Sequence, residues 1–523
     1  MTADSTDFPA RPQVQVLIVG GGPVGMLIAA ELSHYGVRVA VVEQNPVTLD
    51  IPKAGTLHAR TAQTLRRRGY LPGPGAASAL LSEERAQGFH FAGLPGLTIT
   101  APAVEGEPIV GRAQSDLERQ FEFLAGRRGA AVLRGYRAIH LRTDDEGAVL
   151  TVREDGSGRE SELAAQWVIG ADGARSSVRA LAGIGSEEHL PTTRAVLGLV
   201  TLDDPARVPP GWTPTARGWT VIGPNPFGPS RVAAFDFSGP QEDRRTPLTL
   251  EELRRTVSHI AGFDIPMSTP RYLDRFSDYS RLAHTYRKGR VLLAGDAAHV
   301  HFPVGGQGLN LGLQDAVNLS WKLAHHLKGW PSPTLLDSYT AERRPPAART
   351  IDNTRAQLAL MQPGGQHDAL RALFTDLLRN PAVSRQLGDM ISDQDVTLPR
   401  DPDGHPWTGM FLPNFPLRTA RGETCVADLL HSGRLQLIIL SGETETALRK
   451  AAGPWDEVLD VVTAPAGAVG RLTAVLVRPD GYIAWADEGD GSDDGAPALE
   501  AALDALLGRR DPSATPFIPG DSP

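Results

Sequence analysis

At 523 residues the chain exceeds one compact core, and two or three domains are predicted. Its 41% hydrophobic and 22% charged residues are those of a soluble globular protein, and a net charge of −9 gives no basic footprint for nucleic acid. One cysteine, Cys425, excludes an intrachain disulfide and a cysteine-based metal site and fits a cytoplasmic setting.

The first thirteen residues, Met1 to Gln13, are polar and hold no apolar core, so they do not read as a signal peptide. No run is apolar for long enough to span a membrane. Val14 to Val19 predicts a buried strand, followed at once by Gly20-Gly-Gly22-Pro-Val-Gly25 and a helix from Met26 to Tyr35. A second strand, Val37 to Val42, ends at Glu43. Strand, Gly-x-Gly-x-x-Gly, helix, strand and acid form the dinucleotide fingerprint. Gly20 would permit the tight turn, Gly22 the approach of a pyrophosphate and Gly25 close helix–strand packing, while Glu43 would hold ribose hydroxyls. The competing reading is a glycine-rich α/β turn without ligand.

Ile51 to His58 leads into a helix over Ala59–Arg68, and Leu71 to Ala77 reads as loop. Val110 to Leu117 opens a helix running to about Arg127, with Asp116 suited to a helix-start charge. Trp167-Val-Ile-Gly170 is a short apolar strand that meets Asp172-Gly173, then Arg175, Ser176 and Arg179. An ordinary Asp-Gly turn is the plainer alternative there. From Gly185 to Phe276 short alternating runs separated by Pro and Gly predict an antiparallel sheet able to cover a ligand. Thr249 to Ala261 is a helix within it, capped by Thr249.

Val291 to Ala294 is a buried strand stopping at Gly295, which puts Asp296 at a strand's carboxyl end, where α/β sheets bind ligands. The glycine-rich loop His301 to Asn310 follows. Leu309, Leu313, Val317, Leu323 and Leu327 then fit a helix with one apolar face, stopped by Gly329 and Pro331. Small residues let backbone approach a flat ligand, and the helix start offers free N–H groups. The plain alternative is a packing unit with a capping Asp. Leu335 to Pro345 begins further helices reaching about Ile391, and Leu398 to Pro416 is a proline-rich linker. Leu435–Leu440, Val458–Thr463 and Thr473–Trp485 read as strands, with a hairpin turn at Asp480-Gly481. With helices at Glu443–Ala452 and Pro497–Leu507 this makes a βαββα unit, and the tail beyond Gly508 reads as loose.

Gly20–Gly25 with Glu43, Asp172-Gly173 with its arginines, and Gly295-Asp296 with Pro303 occur in an order that resembles the single-component FAD-dependent aromatic hydroxylases, typified by para-hydroxybenzoate hydroxylase. Within that family the chain looks most like hydroxylases that tailor aromatic polyketides. The resemblance implies an α/β fold: a Rossmann-like FAD-binding domain, an inserted antiparallel β-sheet substrate domain and a C-terminal thioredoxin-like domain. The implied divisions are 1–184 and 277–397 for the FAD-binding domain, 185–276 for the substrate domain and 398–523 for the C-terminal domain. It implies that Gly20, Gly22, Gly25 and Glu43 hold the ADP half of FAD, with Gln114 or Arg112 as a further contact. Asp172 falls in a motif tied to FAD and NAD(P)H, Asp296 falls to the ribityl chain, and Lys53 stands where relatives carry an arginine near the flavin. Gly295, Pro303, Gly306, Gly308, Leu309 and Asn310 would lie against the flavin.

The implied reaction is hydroxylation of a polycyclic aromatic by O2 through a flavin C4a-hydroperoxide, with NADPH or NADH as transient reductant. The alternatives are a Baeyer–Villiger oxygenase, an antibiotic-inactivating monooxygenase and a flavoprotein that sequesters an aromatic drug. No metal is expected, and a homodimer, no nucleic acid and no membrane are the expectations for partners. A general base is not fixed by the sequence. Lys53, His58 and His299 are the candidates, with His284 and His301 also near the flavin motifs.

Overall fold

The computed structural model describes residues 14–51, 53–73, 84–225, 227–240, 246–330, 332–441, 444–464, 471–489 and 495–510. The expectations for Met1 to Gln13, for the second half of the Leu71–Ala77 loop, for Pro331, for Glu443 and for the tail from position 511 lie outside these residues.

Five parallel strands form the centre, in the order Val291–Leu293, Glu160–Gly170, Val14–Val19, Val39–Glu43 and Ala131–Arg134. Val39–Glu43 is buried throughout and Val14–Val19 over its last four residues, the continuous apolar pattern of strands covered on both faces. The helix Pro23–His34 starts with Pro in its first turn, where the missing N–H costs nothing. Tyr136–Thr143 and Ala148–Glu154 pair antiparallel and join the sheet through Glu160–Gly170. These two strands, and the hairpin Glu84–Phe91 with Leu94–Pro102, are not among the elements predicted above.

A second sheet has the order Gly211–Thr215, Gly218–Gly223, Ser230–Asp236, Arg194–Leu202 and Met267–Ser277, all antiparallel. One face packs Val196, Val200, Val232, Ala234 and Ile222 against Leu253, Val257 and Ile260 of the helix Leu250–Ala261. Thr249 caps that helix by accepting from Glu252 N, and Gly262 closes it in the left-handed region.

The helix Gln307–Leu327 runs through the middle of the molecule. The apolar stripe predicts one solvated face, but Gln314, Asp315, Asn318, Lys322 and His325 on the other sides are buried as well. Each of those five finds a polar partner, which is what lets the helix be enclosed on all sides. The C-terminal residues form a four-stranded sheet ordered Leu459–Thr463, Leu435–Ile439, Ala474–Val477 and Ile483–Asp487. Its first pair is parallel across the helix Glu445–Ala452, and the others are antiparallel.

Candidate cofactor and substrate site

Strand register brings the three motifs to one edge. Val19, Gly170 and Leu293 lie side by side, so the turns that follow them leave the sheet at the same level. Backbone bonds tie the turns together: Gly20 N donates to Val42 O at 2.8 Å, Ala171 N to Val19 O at 2.8 Å and Ala294 N to Gly170 O at 2.9 Å. A Cβ on Gly25 would sit 2.0 Å from Gly20 O, and one on Gly20 would sit 2.2 Å from Ala171 O. Gly22 differs: a Cβ there meets no atom within 4 Å, and no side chain caps the helix behind it. Open space before an uncapped helix start suits a phosphate. Glu43 is nearly buried, accepting from Gly21 N at 2.6 Å and from Asn45 N at 2.7 Å, so it both braces the turn and faces it.

The two aspartates of the other motifs play different parts. Asp172 is committed locally: Ser176 Oγ donates to it at 2.5 Å and Val178 N at 3.1 Å, capping the short helix Ser177–Leu181. Burial pushes its carboxyl up against the opposing pull of those bonds. Arg179, from the same turn, donates to Ala297 O at 2.7 Å and so fastens the second motif to the third. Asp296 is exposed and makes no hydrogen bond to the described residues, leaving its carboxylate available to a ligand hydroxyl. Lys53, Arg112 and Gln114 come together because Arg112 N donates to Gly55 O at 3.0 Å and Gln114 N to Ala54 O at 3.1 Å. Lys53 and Arg112 are exposed there, and Arg112 also reaches Gln120 at 3.0 Å.

The loop before the long helix carries left-handed Gly305 and Gly306, and the helix Gln307–Leu327 has no side-chain cap. Pro303 and Gly306 are exposed, while Gly308 and Leu309 are half-buried. The Asn310 side chain is occupied as a latch: Oδ1 accepts from His58 N at 2.7 Å, and Nδ2 donates to Thr56 O at 3.1 Å and Gly306 O at 2.9 Å. Thr61 Oγ also donates to Asn310 O at 3.3 Å, so the residue holds the loop rather than facing it.

Three buried nitrogens without partners line this loop: His58 Nε2, His301 Nε2 and Gln307 Nε2. They stand 3.7, 3.3 and 3.2 Å from where a Cβ would fall on Gly306, Gly308 and Gly305 respectively. His58 Nδ1 faces Ile391 O at 3.1 Å and His301 Nδ1 faces Phe302 O at 2.9 Å. A carbonyl only accepts, so both Nδ1 atoms carry the hydrogen and both Nε2 atoms present a lone pair. Burial holds His58 neutral, with its pKa pushed down to about 4, and lowers that of His301. Unsatisfied polar atoms around a side-chain-free cradle fit a flat, polar-edged group such as the flavin of FAD.

His299 is placed differently. Its Nε2 lies 2.6 Å from Asp315 Oδ2, which also accepts from Gly295 N at 3.1 Å, and Asp315 Oδ1 accepts from Arg343 Nε at 2.8 Å. Burial alone would raise the Asp315 pKa, but His299 and Arg343 bring it below the usual value. This network holds the Gly295 turn from behind, so His299 does not face a substrate. His284 is exposed beside Gly185, away from the loop. Asp315 was not legible as a site residue, because a lone acid inside an apolar helix names none of its three partners.

Residues directly opposite in antiparallel strands share a face. Trp212, Trp219, Phe235 and Phe276 therefore project from the side of the second sheet opposite its helix. Trp212 stacks on Phe235 at 5.6 Å, and Phe235 and Phe276 meet Phe302 at 5.6 and 6.0 Å. Phe302 immediately precedes Pro303 and the glycine loop, so this aromatic face closes over the cradle. Phe89 and His90 continue it toward His58. Among the described residues no group of metal-ligating side chains is present, and no helix is long and apolar enough to cross a membrane.

The stretch Tyr339 to Arg344 is a row of latches. Tyr339 Oη donates to Leu293 O at 2.8 Å, Glu342 accepts from Lys322 and Arg478 at 2.7 Å each, Arg343 holds Asp315, and Arg344 pairs with Glu187. Asp480 then joins Arg478 to Asn318 and Trp321, docking the C-terminal sheet on the long helix.

An FAD cradle under an aromatic sheet defines an FAD-dependent ring hydroxylase. The FAD binding domain family matches residues 13–354, and the C-terminal family of aromatic-ring hydroxylases matches residues 405–510. The chain belongs to this family of FAD-dependent aromatic hydroxylases. It is 37% identical over 487 residues to 12-dehydrotetracycline 5-monooxygenase/anhydrotetracycline 6-monooxygenase of Streptomyces rimosus, covering 90% of this chain and 94% of that one. It is 34% identical over 504 residues to dialkyldecalin synthase of Streptomyces rugosporus, covering 94% and 98%. Among solved structures, CabE, an aromatic hydroxylase from angucycline biosynthesis, matches with a TM-score of 0.84 at 34% identity, over 95% of this chain and 100% of that one.

Proposed function

We propose that the chain is an FAD- and NAD(P)H-dependent monooxygenase that hydroxylates a polycyclic aromatic of polyketide type. The observation that carries this reading is the aromatic face of Trp212, Phe235 and Phe276 meeting the glycine loop through Phe302. Gly20, Gly22, Gly25 and Glu43 would hold the ADP half of FAD, Asp296 the ribityl chain, and Pro303 to Asn310 the ring. Lys53, Arg112 and Gln114 form a second wall beside it, and Asp172 supports that wall by fixing its own turn.

Bound FAD supplies the activation of O2 and the transfer of one oxygen atom. The protein's own part is placement and exclusion of water. The aromatic face orients a planar substrate over the loop. The uncapped start of the helix Gln307–Leu327 favours negative charge at the loop. His58 Nε2 offers a neutral proton acceptor at the loop's inner side. We assign residues 1–184 and 277–397 to the FAD-binding domain and 185–276 to the substrate domain. Residues 398–523 form the thioredoxin-like domain, which serves docking and carries no cysteine pair.

The test is turnover of a panel of polycyclic phenols and quinones with NADH or NADPH under isotopically labelled O2. A product heavier by one labelled oxygen, with its rings intact, is the expected result. Ring expansion would move the assignment to Baeyer–Villiger insertion. Product without label, or formed without nicotinamide, would move it to the kind of chemistry named for dialkyldecalin synthase.

A further inference from the structure

The inward face of the second sheet changes character along its length. At the Phe302 end stand Trp219, Phe235, Ala195 and Phe276; two residues further along each strand stand Val221, Ala233, Leu197 and Asp274; two further again, Gly223, Arg231, Leu199 and Tyr272. Four residues of strand separate Phe235 from Arg231, about 13 Å. That is the span of a fused multi-ring molecule lying along the strand with one end against the Phe235–Phe302 contact.

Arg231 is the arginine in these three rows of the inward face; Arg255 on the helix and Arg271 on the last strand likewise make no hydrogen bond or ion pair to the described residues. Arg194, Arg217, Arg254 and Arg275 of the same sheet and its helix each pair with a carboxylate or carbonyl. Arg231 makes no hydrogen bond or ion pair to the described residues. Its cross-strand neighbours, Gly223 and Leu199, offer it no side-chain acceptor, and Gly223 leaves the space beside it open. The surrounding protein lowers its pKa although the residue is exposed. Two strands away Tyr272 Oη donates to Asp274 Oδ2 at 2.7 Å, and the ladder beside Leu199 is broken by an irregularity beyond that pair.

Resting on the monooxygenase reading above, we propose that Arg231 anchors an acidic group of the substrate: an ionised enol, phenol or carboxylate at the end of the ring system remote from Phe302. The guanidinium supplies a planar fork of donors for such an oxyanion. The Tyr272–Asp274 pair accepts hydrogen bonds from hydroxyls on the neighbouring edge. The substrate is therefore an acidic polycycle with its reacting ring held at the aromatic end of the face.

The test compares the FAD-loaded wild type with Arg231→Gln and Arg231→Lys. The probes are a dimethoxyanthraquinone and its ring carboxylic acid, each titrated by the change in the flavin absorption spectrum. For the acid, Arg231→Gln should weaken binding by about 10-fold or more and Arg231→Lys by less, while the neutral probe should change by less than about twofold. Unchanged melting temperature and FAD content show that the fold is kept. Equal losses for both probes, or no loss for the acid, would overturn the anchor. Labelled hydroxylation by the wild type with no effect at Arg231 sinks the anchor and leaves the monooxygenase reading standing. No product from any phenol of the panel sinks that reading and the anchor with it.

Discussion

The parallel sheet meets the site with backbone, and the antiparallel sheet meets it with side chains. At the parallel edge, Gly20, Gly22, Gly25 and Gly295 put no side chain between the turns and a ligand, and the few side chains present, such as Glu43, brace turns. On the antiparallel sheet the proposed substrate face presents four aromatics and Arg231. A backbone site reads a ligand common to the whole family, since little in it can vary without breaking the turn. A side-chain face can be rewritten residue by residue without disturbing the ladder. On the proposed reading, the difference puts cofactor identity on one sheet and substrate choice on the other.

The sharpest way to break the comparison is at the glycines. Gly25→Val forces a Cβ onto Gly20 O, so the protein should lose both FAD and folded yield, seen as a collapsed visible absorbance and low soluble recovery. Gly22→Val should separate the two effects. No protein atom opposes its side chain, so melting of the apoprotein should stay within a few degrees while FAD affinity falls by 100-fold or more, roughly the value of lost phosphate contacts.

Next in size is a buried charge that belongs to neither face. Arg478→Met leaves Asp480 without its cation and Glu342 with Lys322 alone inside the C-terminal docking surface, and should cost about 3–5 kcal/mol in denaturant melts. The flavin spectrum of the folded fraction should be unchanged, since no residue of that cluster touches the cradle. Phe235→Ala should cost about 3 kcal/mol of stability. It should also raise KM for a polycyclic phenol strongly while FAD content remains full, the reverse of Gly22→Val.

Acid should weaken the whole molecule. Burial lowers the pKa of His34, His58 and His325 to about 4, against about 6.5 in an unfolded chain. The unfolded state thus binds protons first. Stability is intact above about pH 6.5, falls as pH drops through that value, and levels off below about 4, by up to about 3 kcal/mol per histidine. Melting temperatures between pH 7.5 and 4.5 check this. The smallest effect is expected for His284→Ala, which should alter neither turnover nor FAD binding beyond about twofold, because the side chain is exposed and remote from the loop.

Legibility in the sequence followed the same division. The turns at Gly20–Gly25, Asp172 and Gly295 could be read because glycine at a tight turn and an acid at a strand end are local signals. Their convergence followed from strand order, which the fingerprint already implies. The aromatic face could not be read, because which side of a strand faces the site depends on register with strands up to 83 residues away. Asp315 was hidden, and His299 read as a candidate base, for a related reason: their roles come from each other and from Gly295 and Arg343, brought near only by the fold. The hairpin at Ala92-Gly93 escaped notice because its turn uses a non-glycine residue at positive φ, without an Asn-Gly or Asp-Gly signal.

The most direct trial of this division is an FAD titration of apoprotein, followed by flavin fluorescence, for wild type, Gly22→Val and Trp212→Ala. Tight one-to-one uptake by wild type and Trp212→Ala, with uptake by Gly22→Val weaker by about 100-fold or more, is the predicted result. Undiminished uptake by Gly22→Val, or a wild type that takes up no FAD, would contradict it.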